Sequence, residues 1–599
     1  MPTFSHLHYE QLIRSPAYGQ ASRRVLRQLV EALLFERTLA DTVIDGDQLT
    51  LSGHDRDGAA VAYRCLAQTT FSFGRVRIVS ALMRVGADGV EVEATDPALF
   101  LTEISGLLNA DPQRLQQFAA ELLSTQIKDA QTLYFRGANP LRDAQYDQIE
   151  ARLTDSHPYH PSYKSRLGFT LTDNAGYAPE IAEAVRPLLL AVRRAQAHAA
   201  VAGDVAAAGD TEMLLHRDDL RHFQQELSRR GLSAADYLPL PVHPWQWDEI
   251  IAPGYHQALA DGDLVLLGLM TEQYLPQQSI RTLSSMTAPR RPSIKLAMNL
   301  VNTSTSRVLA PHTVRNAAPI SDWLRELVDR SGWPLPMRQP VILREIAGVG
   351  YTRPAGAATQ YGALACIWRD SVHAHLAAGE RAAPMTAMLH IDSDGRPFID
   401  DWIARHGAEL WLRTLVERAW LPVLHLLWSQ GVALESHAQN MLLLHVDGLP
   451  ERVALKDFHD GVRFSPALLA GPAPALTPPP EAHALVNPNS FLQTDDANEL
   501  RDFTFDALFF VNLAELAWLF ARFYDMLEPR FWDIVGGVLR DHQRRHPDMA
   551  ARYALFDCFA DEVDIELLAS RRFQPEIRLR TRAAPNPLAV KMPGQGGAA

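Results

Sequence analysis

Two stretches of this chain concentrate side chains that bind phosphate, carboxylate and a hard cation. The first runs from Ser279 to Asn316 and contains SIRTL (279–283) and SIKLAMNLVNTSTSR (293–307). Ser279, Arg281 and Thr282 place two hydroxyls and a guanidinium close together, a set suited to phosphate oxygens. On a strand, Ser279 and Arg281 share one face. Lys295 sits among Ile294, Leu296, Ala297 and Met298. An ammonium placed there must reach an anion or return to water. Thr303, Ser304, Thr305, Ser306 and Arg307 follow as a hydroxyl-rich turn with a guanidinium, able to line a carboxylate pocket. The second stretch, Glu435 to Gly461, reads ESHAQN (435–440), two apolar runs around a turn, and KDFHDG (456–461). It sets carboxylates, an Asn and two His at the ends of a predicted β-hairpin, as an Mg-nucleotide site needs. Asn440 and Asp457 are the candidate Mg²⁺ ligands, by the logic of kinase-type catalytic loops, and Glu435 is a further carboxylate. His437, two residues after Glu435, faces the same way on an extended loop. Together the stretches predict an enzyme that brings ATP to a polyanionic acid.

The whole chain bounds this reading. At roughly 100–200 residues per domain, its 599 residues predict three or four units. The formal net charge of −13 argues against a general nucleic-acid binder, so an anionic substrate needs a local basic pocket. Cys65, Cys366 and Cys558 are far apart and form no CxxC pair. Disulfide, zinc-ribbon and iron–sulfur frameworks are therefore not expected, and a reduced cytoplasm is. The N-terminus lacks the apolar core of a signal peptide, and no membrane partner is expected. Neither a P-loop nor a Rossmann glycine motif occurs, and there is no G-x-S-x-G elbow.

The elements that must position these residues read as follows. Residues 17–43 and 98–135 are helical by periodicity, with short strands around 60–94 between them. A first domain of mixed α and β structure occupies about 1–150. The segment DSHPYHPSYKSRLGF (155–169) packs His157, His160, Lys164 and Arg166 into a Pro-punctuated loop. Two helices are expected at about 178–203 and 211–231. LPLPVHPWQW (238–247) reads as a rigid hydrophobic wedge. Buried strands at 264–270 and 340–346 flank the first stretch. An apolar helix covers 409–430, a Pro- and Ala-rich surface loop 465–489, and a helix apolar nearly all round, hence buried, 505–527.

The chain resembles the siderophore synthetases that work independently of nonribosomal peptide synthetases, the aerobactin-synthetase-like family. The matches are HPYHPSYKSR (157–166), HPWQW (243–247), SIRTL, IKLAMNLVNTSTSR (294–307), ESHAQN and KDFHDG, in order and at the expected spacing. One departure is Ala317, where many relatives carry Gly. The resemblance implies an α+β multidomain cupped hand: a thumb (1–150), fingers (151–360) and a distantly kinase-like palm (361–599). It implies adenylation of a carboxylate of citrate or a related acid, attack by an amine or alcohol, and release of AMP and pyrophosphate. ATP and Mg²⁺ are the implied cofactors, and a homodimer the implied assembly. Carried over by motif, Ser279, Arg281, Thr282, Lys295 and Arg307 bind the triphosphate, with His437 and Asn440 beside it. Thr303, Arg307 and His437 hold the acid. Glu435, Asn440 and Asp457 serve Mg²⁺. His160, Lys164 and Arg166 close over the nucleotide or acid. Arg307, His437 and Lys295 are the implied catalytic groups. Two other readings compete. A small-molecule kinase using the same hairpin would release ADP. A ferric-siderophore reductase would need a cysteine cluster, and the C-terminal third holds only Cys558.

Overall fold

Val25, Leu26, Leu29, Val30 and Leu33 recur at helical spacing, and all are buried on one face of the helix Pro16–Phe35. That helix packs against the helix Pro112–Phe135 and a six-stranded sheet formed from residues between Val43 and Glu93. The computed structural model describes residues 6–39, 42–135, 140–154, 157–181, 184–208, 214–302, 305–352, 360–481, 483, 492–575 and 580–589. Its architecture is mixed α/β, with several small sheets and many helices.

A second six-stranded sheet carries the first chemical stretch. Its order is Tyr274–Pro276, Thr282–Ser285, Ser293–Leu296, Ala365–Arg369, Glu345–Gly350 and His198–Val201, every neighbour antiparallel. The predicted hairpin is present as Met441–Val446 paired with Leu449–Leu455. It forms a four-stranded sheet with Arg381–Pro384 on one side and Val341–Ile342 on the other.

The helix expected at 178–203 is not formed. Leu188–Arg193 is the central strand of a three-stranded sheet, between Leu264–Leu269 and Tyr237–Val242, and His198–Val201 is an edge strand. A short apolar run such as LLLAV reads equally well as a buried helix turn or a buried strand, and here both faces are covered. The second expected helix is observed as Arg217–Arg229. Ala317 lies fully buried inside the helix Pro311–Arg330, where nothing calls for glycine. The HPWQW wedge braces the site. Trp245 packs edge-on to Phe169 and against Gly168, whose φ of +111° disfavours any side chain and where an added Cβ would stand a tight 3.1 Å from the indole. Gln246 Nε2 donates to Asn299 Oδ1 at 2.7 Å, and Asn299 N–H returns a bond to Gln246 Oε1 at 2.8 Å, fixing the strand Met298–Asn302.

The largest apolar core joins Val25 and Leu29 to Trp411, Trp428 and Phe510, so the N-terminal helix and the C-terminal helices share one interior. The helix Ala497–Phe523 is long and apolar enough to cross a membrane, yet 78% of its most apolar window is buried inside the protein. A π turn, Asp506–Leu513, interrupts it.

Core histidines give the fold a pH dependence. His243 is fully enclosed, and burial lowers its pKa from 6.5 to about 3. His542 is lowered to about 3 by burial, with His425, His546 and Arg545 adding to it. A histidine depressed in the fold binds fewer protons folded than unfolded. Its contribution is complete above the unfolded value, near 6.5, and is lost as pH falls toward the folded value. The urea midpoint is therefore expected to fall steadily from about pH 6.5 to 4; a flat profile there contradicts the neutral-core assignment.

Candidate active site

The two chemical stretches, carried by different sheets, line one cavity of about 340 Å³, a size suited to small-molecule ligands. In the sheet, Thr282 faces Lys295 across the ladder. Ser279 Oγ donates to Thr282 Oγ1 at 2.8 Å, closing the turn before that strand. Thr282 is fully buried and braces this turn, while Ser279 and Arg281 line the cavity. Arg281 donates to the carbonyls of Arg307 (2.8 Å) and Val308 (3.1 Å), so one guanidinium anchors the strand that carries the other.

Arg307 ends the strand Thr305–Arg307 and lines the cavity. Among the described residues its hydrogen bond is a long one, 3.4 Å to the Asn302 carbonyl, and its buried Nε has no partner. Burial, and then the neighbouring Arg281, lower its pKa to about 10. A guanidinium so placed is set to receive an anion.

The hairpin supplies the opposite wall. Asn440 stands just before its first strand and Lys456–Asp457 just after its second, with Lys456 N–H donating to the Asn440 carbonyl at 3.1 Å. Asp457 Oδ1 accepts from Lys295 Nζ at 2.8 Å and from Arg369 at 2.7 Å. Burial raises the Asp457 carboxyl, but Lys295 and Arg369 outweigh it and hold it well below the usual carboxylate range. Glu435 is pushed up to about 7 by burial, with Arg463 opposing and Glu566, Asp460 and Asp457 reinforcing the rise. Asn440 Nδ2 donates to the Glu435 carbonyl at 3.0 Å and lies 3.5 Å from Oε2. His437 Nδ1 accepts from Gln439 N–H at 3.2 Å, and burial lowers the ring to about 4, so a neutral imidazole carries its hydrogen on Nε2.

His160 also lines the cavity; its Nδ1 accepts from Ser162 N–H at 3.2 Å, and its Nε2 is buried without a partner among the described residues. Arg166 borders the cavity while bonding Asn174 and Glu180. Lys164 does not line it: the ammonium is enclosed by Asp129 (3.0 Å), the Thr154 carbonyl (2.7 Å) and Glu180 (3.3 Å), which fastens the loop from beneath. Thr303 lies outside the described residues.

Sequence reading missed one side of this cavity. Asp506, Glu566 and Arg571 line it from the C-terminal region, with Glu566 accepting from Arg571 at 2.7 Å. Asp506 opens the π turn, a feature that recurs at functional sites, but the turn is hidden in an apolar helical pattern.

Among the described residues no three acidic, His or Cys side chains are grouped to cage a metal alone. Mg²⁺ does not require that, since it binds through one or two carboxylates plus substrate phosphates. The oxygen donors of Glu435, Asn440 and Asp457 fit such a shared site. The carboxylates that raise Glu435 are the crowding a cation relieves.

The IucA / IucC family profile matches residues 145–390, and a ferric iron reductase FhuF-like transporter profile matches 409–581. That second stretch contains a single cysteine, Cys558, which is buried. A Staphylococcus aureus protein, 2-[(L-alanin-3-ylcarbamoyl)methyl]-3-(2-aminoethylcarbamoyl)-2-hydroxypropanoate synthase, is 36% identical, with 98% of this chain and 97% of that protein aligned. The citryl-spermidine/3,4-dihydroxybenzoyl-citryl-spermidine:spermidine ligase of Bacillus anthracis is 35% identical over 97% of this chain and 96% of its own. The crystal structure of the petrobactin biosynthesis protein AsbB from Bacillus anthracis superposes with a TM-score of 0.89, at 35% identity, over 98% of both chains. Fold and relatives define a ligase of siderophore biosynthesis. The chain belongs to the IucA/IucC family of siderophore synthetases.

Proposed function

We propose that the protein joins a carboxylate of citrate, or of a citrate derivative, to an amine or alcohol, converting ATP to AMP and pyrophosphate. The observation that carries this reading is the cavity itself. Arg281, Lys295 and Arg307 line it together with Glu435, Asn440 and Asp457, cations and oxygen donors around one space of about 340 Å³. Both relatives above are named for products or substrates in which a hydroxy-polycarboxylate is joined to an amine, which favours an amine here.

In the first step a carboxylate oxygen of the acid bonds to the α-phosphorus. The α–β P–O bond breaks and pyrophosphate leaves. In the second, the amine nitrogen bonds to the acyl carbon, the C–O bond to AMP breaks, and the nitrogen gives up one proton. Ser279, Arg281 and Lys295 hold the triphosphate, with His437 and Asn440 beside it, while Thr282, expected from its motif to join them, braces the turn from behind. Arg307 spans phosphate and acid, and Thr303, His437, His160 and Arg571 complete the acid's surroundings. Fixed cations stabilise the charge that grows on the leaving pyrophosphate without having to reorganise. Glu435, Asn440 and Asp457 would hold Mg²⁺, which supplies further neutralisation of phosphate charge. The reading includes a thumb, fingers and palm division at 1–150, 151–360 and 361–599, with a distantly kinase-like palm. It also includes a homodimer and a cytoplasmic location.

Product analysis tests it. Purified protein given ATP, Mg²⁺, citrate and a panel of diamines should release AMP and pyrophosphate in step with amide formation. ADP and phosphate as the sole products would overturn the synthetase reading in favour of a kinase.

A further inference from the structure

The two anion-facing turns lie on different sheets, yet they are tied together behind the cavity. Glu150, on the helix Tyr146–Arg152, is almost wholly buried, its side chain 2% exposed. Its Oε1 accepts from Lys456 Nζ at 3.0 Å, and its Oε2 accepts from Gln278 N–H at 3.2 Å. Gln278 Nε2 also donates to the Glu150 carbonyl, at 2.8 Å. A second tie runs in parallel. Arg369 donates to Gln277 Oε1 at 2.8 Å and to Asp457 Oδ1 at 2.7 Å. Residues 277–278 are thus linked to residues 456–457 twice, once through a carboxylate and once through a guanidinium.

Each linked turn contains a non-glycine residue in the left-handed region: Ile280 at φ 70° and Asp457 at φ 67°. For a β-branched residue this backbone is unfavourable, and it persists only where surroundings over-determine it. Ile280 separates Ser279 from Arg281, and its left-handed backbone sets the directions of both. Asp457 holds Lys295. These left-handed residues therefore aim the groups that meet the nucleotide, and the ties stand within three residues of each.

We propose that Glu150 is a positioning residue for the nucleotide. It fixes the 277–281 turn and the 456–457 turn at one separation, so that Ser279, Arg281, Lys295 and Asp457 address a single triphosphate. The proposal rests on the reading that ATP lies on these residues.

Direct titration of ATP into the intact protein, with Mg²⁺ present, separates the two claims. Glu150→Gln keeps the shape but turns an amide donor toward Lys456 or Gln278. The ATP dissociation constant is expected to rise about tenfold, within the range for coupled buried neighbours. The KM for citrate should change less than threefold. The double variant Glu150→Leu with Lys456→Met replaces the ion pair by apolar groups, which commonly restores stability. It lacks an acceptor for Gln278, so it should recover Tm while ATP binding stays weak. Wild-type ATP affinity in Glu150→Gln, or joint recovery of Tm and ATP affinity in the double variant, would overturn the proposal. Failure of the wild-type protein to bind ATP at all would instead remove the functional reading beneath it.

Discussion

Arg307→Ala is expected to abolish pyrophosphate release almost completely while leaving the fold intact. The two halves of that result come from different atoms. The main-chain carbonyl of Arg307, not its guanidinium, anchors Arg281, and alanine keeps that carbonyl. Among the described residues the guanidinium makes only a 3.4 Å contact with the Asn302 carbonyl, and it stands near a second cation that disfavours its charge. Truncation therefore costs the free protein little, and Tm should stay close to that of the wild type. The substrate loses more. Removing one partner of a desolvated charge pair typically costs about 2–5 kcal/mol, or roughly thirty- to several-thousandfold in rate. Arg307→Lys should recover part of the loss, because it restores charge but not the two-pronged donor set that matches a carboxylate or phosphate. Near-normal turnover in a folded alanine variant would remove Arg307 from the site.

The chemistry of this chain is more legible in its sequence than the scaffolding is. Ser279, Arg281, Lys295, Glu435, Asn440 and Asp457 stand out because polar side chains interrupt apolar runs, and a buried ion needs a partner. Lys295 finds its partner on the other stretch, at Asp457, and Arg281 finds its own in the Arg307 and Val308 carbonyls. The hairpin is legible for the same reason, since two apolar runs flank a Gly-containing turn. Leu188–Arg193 is not, because a run covered on both faces has no period to read. Lys164 shows a different limit. Its residue type suggests a ligand contact, but Asp129, which neutralises it, lies 35 residues earlier in an amphipathic helix. Glu150, Arg369 and Asp506 are hidden likewise in ordinary helical or strand patterns, and only the fold shows which face each presents.

Asp457→Asn should weaken Mg-ATP far more than it weakens the acid, and the structure gives the loss two separable causes. The backbone is not one of them, since asparagine is among the residues that best tolerate the left-handed φ of 67° found here. The first cause is the cation: an amide keeps a carbonyl oxygen but loses the charge a hard ion prefers. The second is Lys295. Burial already lowers its pKa, and Asp457 is the leading influence opposing that. With the charge gone, Lys295 and Arg369 share an amide oxygen, and the ammonium that should meet phosphate becomes easier to deprotonate. Removing one partner of a buried hydrogen-bonded charge pair at a binding site costs about 2–5 kcal/mol, so an ATP dissociation constant raised about a hundredfold is in proportion. Titrating ATP with Mg²⁺ and again with EDTA tells the causes apart. If Asp457 serves the metal, the advantage of Mg-ATP over free ATP should shrink in the variant. If it serves only Lys295, both forms should weaken equally. Asp460 is the control: its side chain is 43% exposed and stands 3.6 Å from His459. Asp460→Asn should retain most of the Mg-dependent affinity. An inactive Asp460→Asn beside an active Asp457→Asn would move the metal role three residues along the chain.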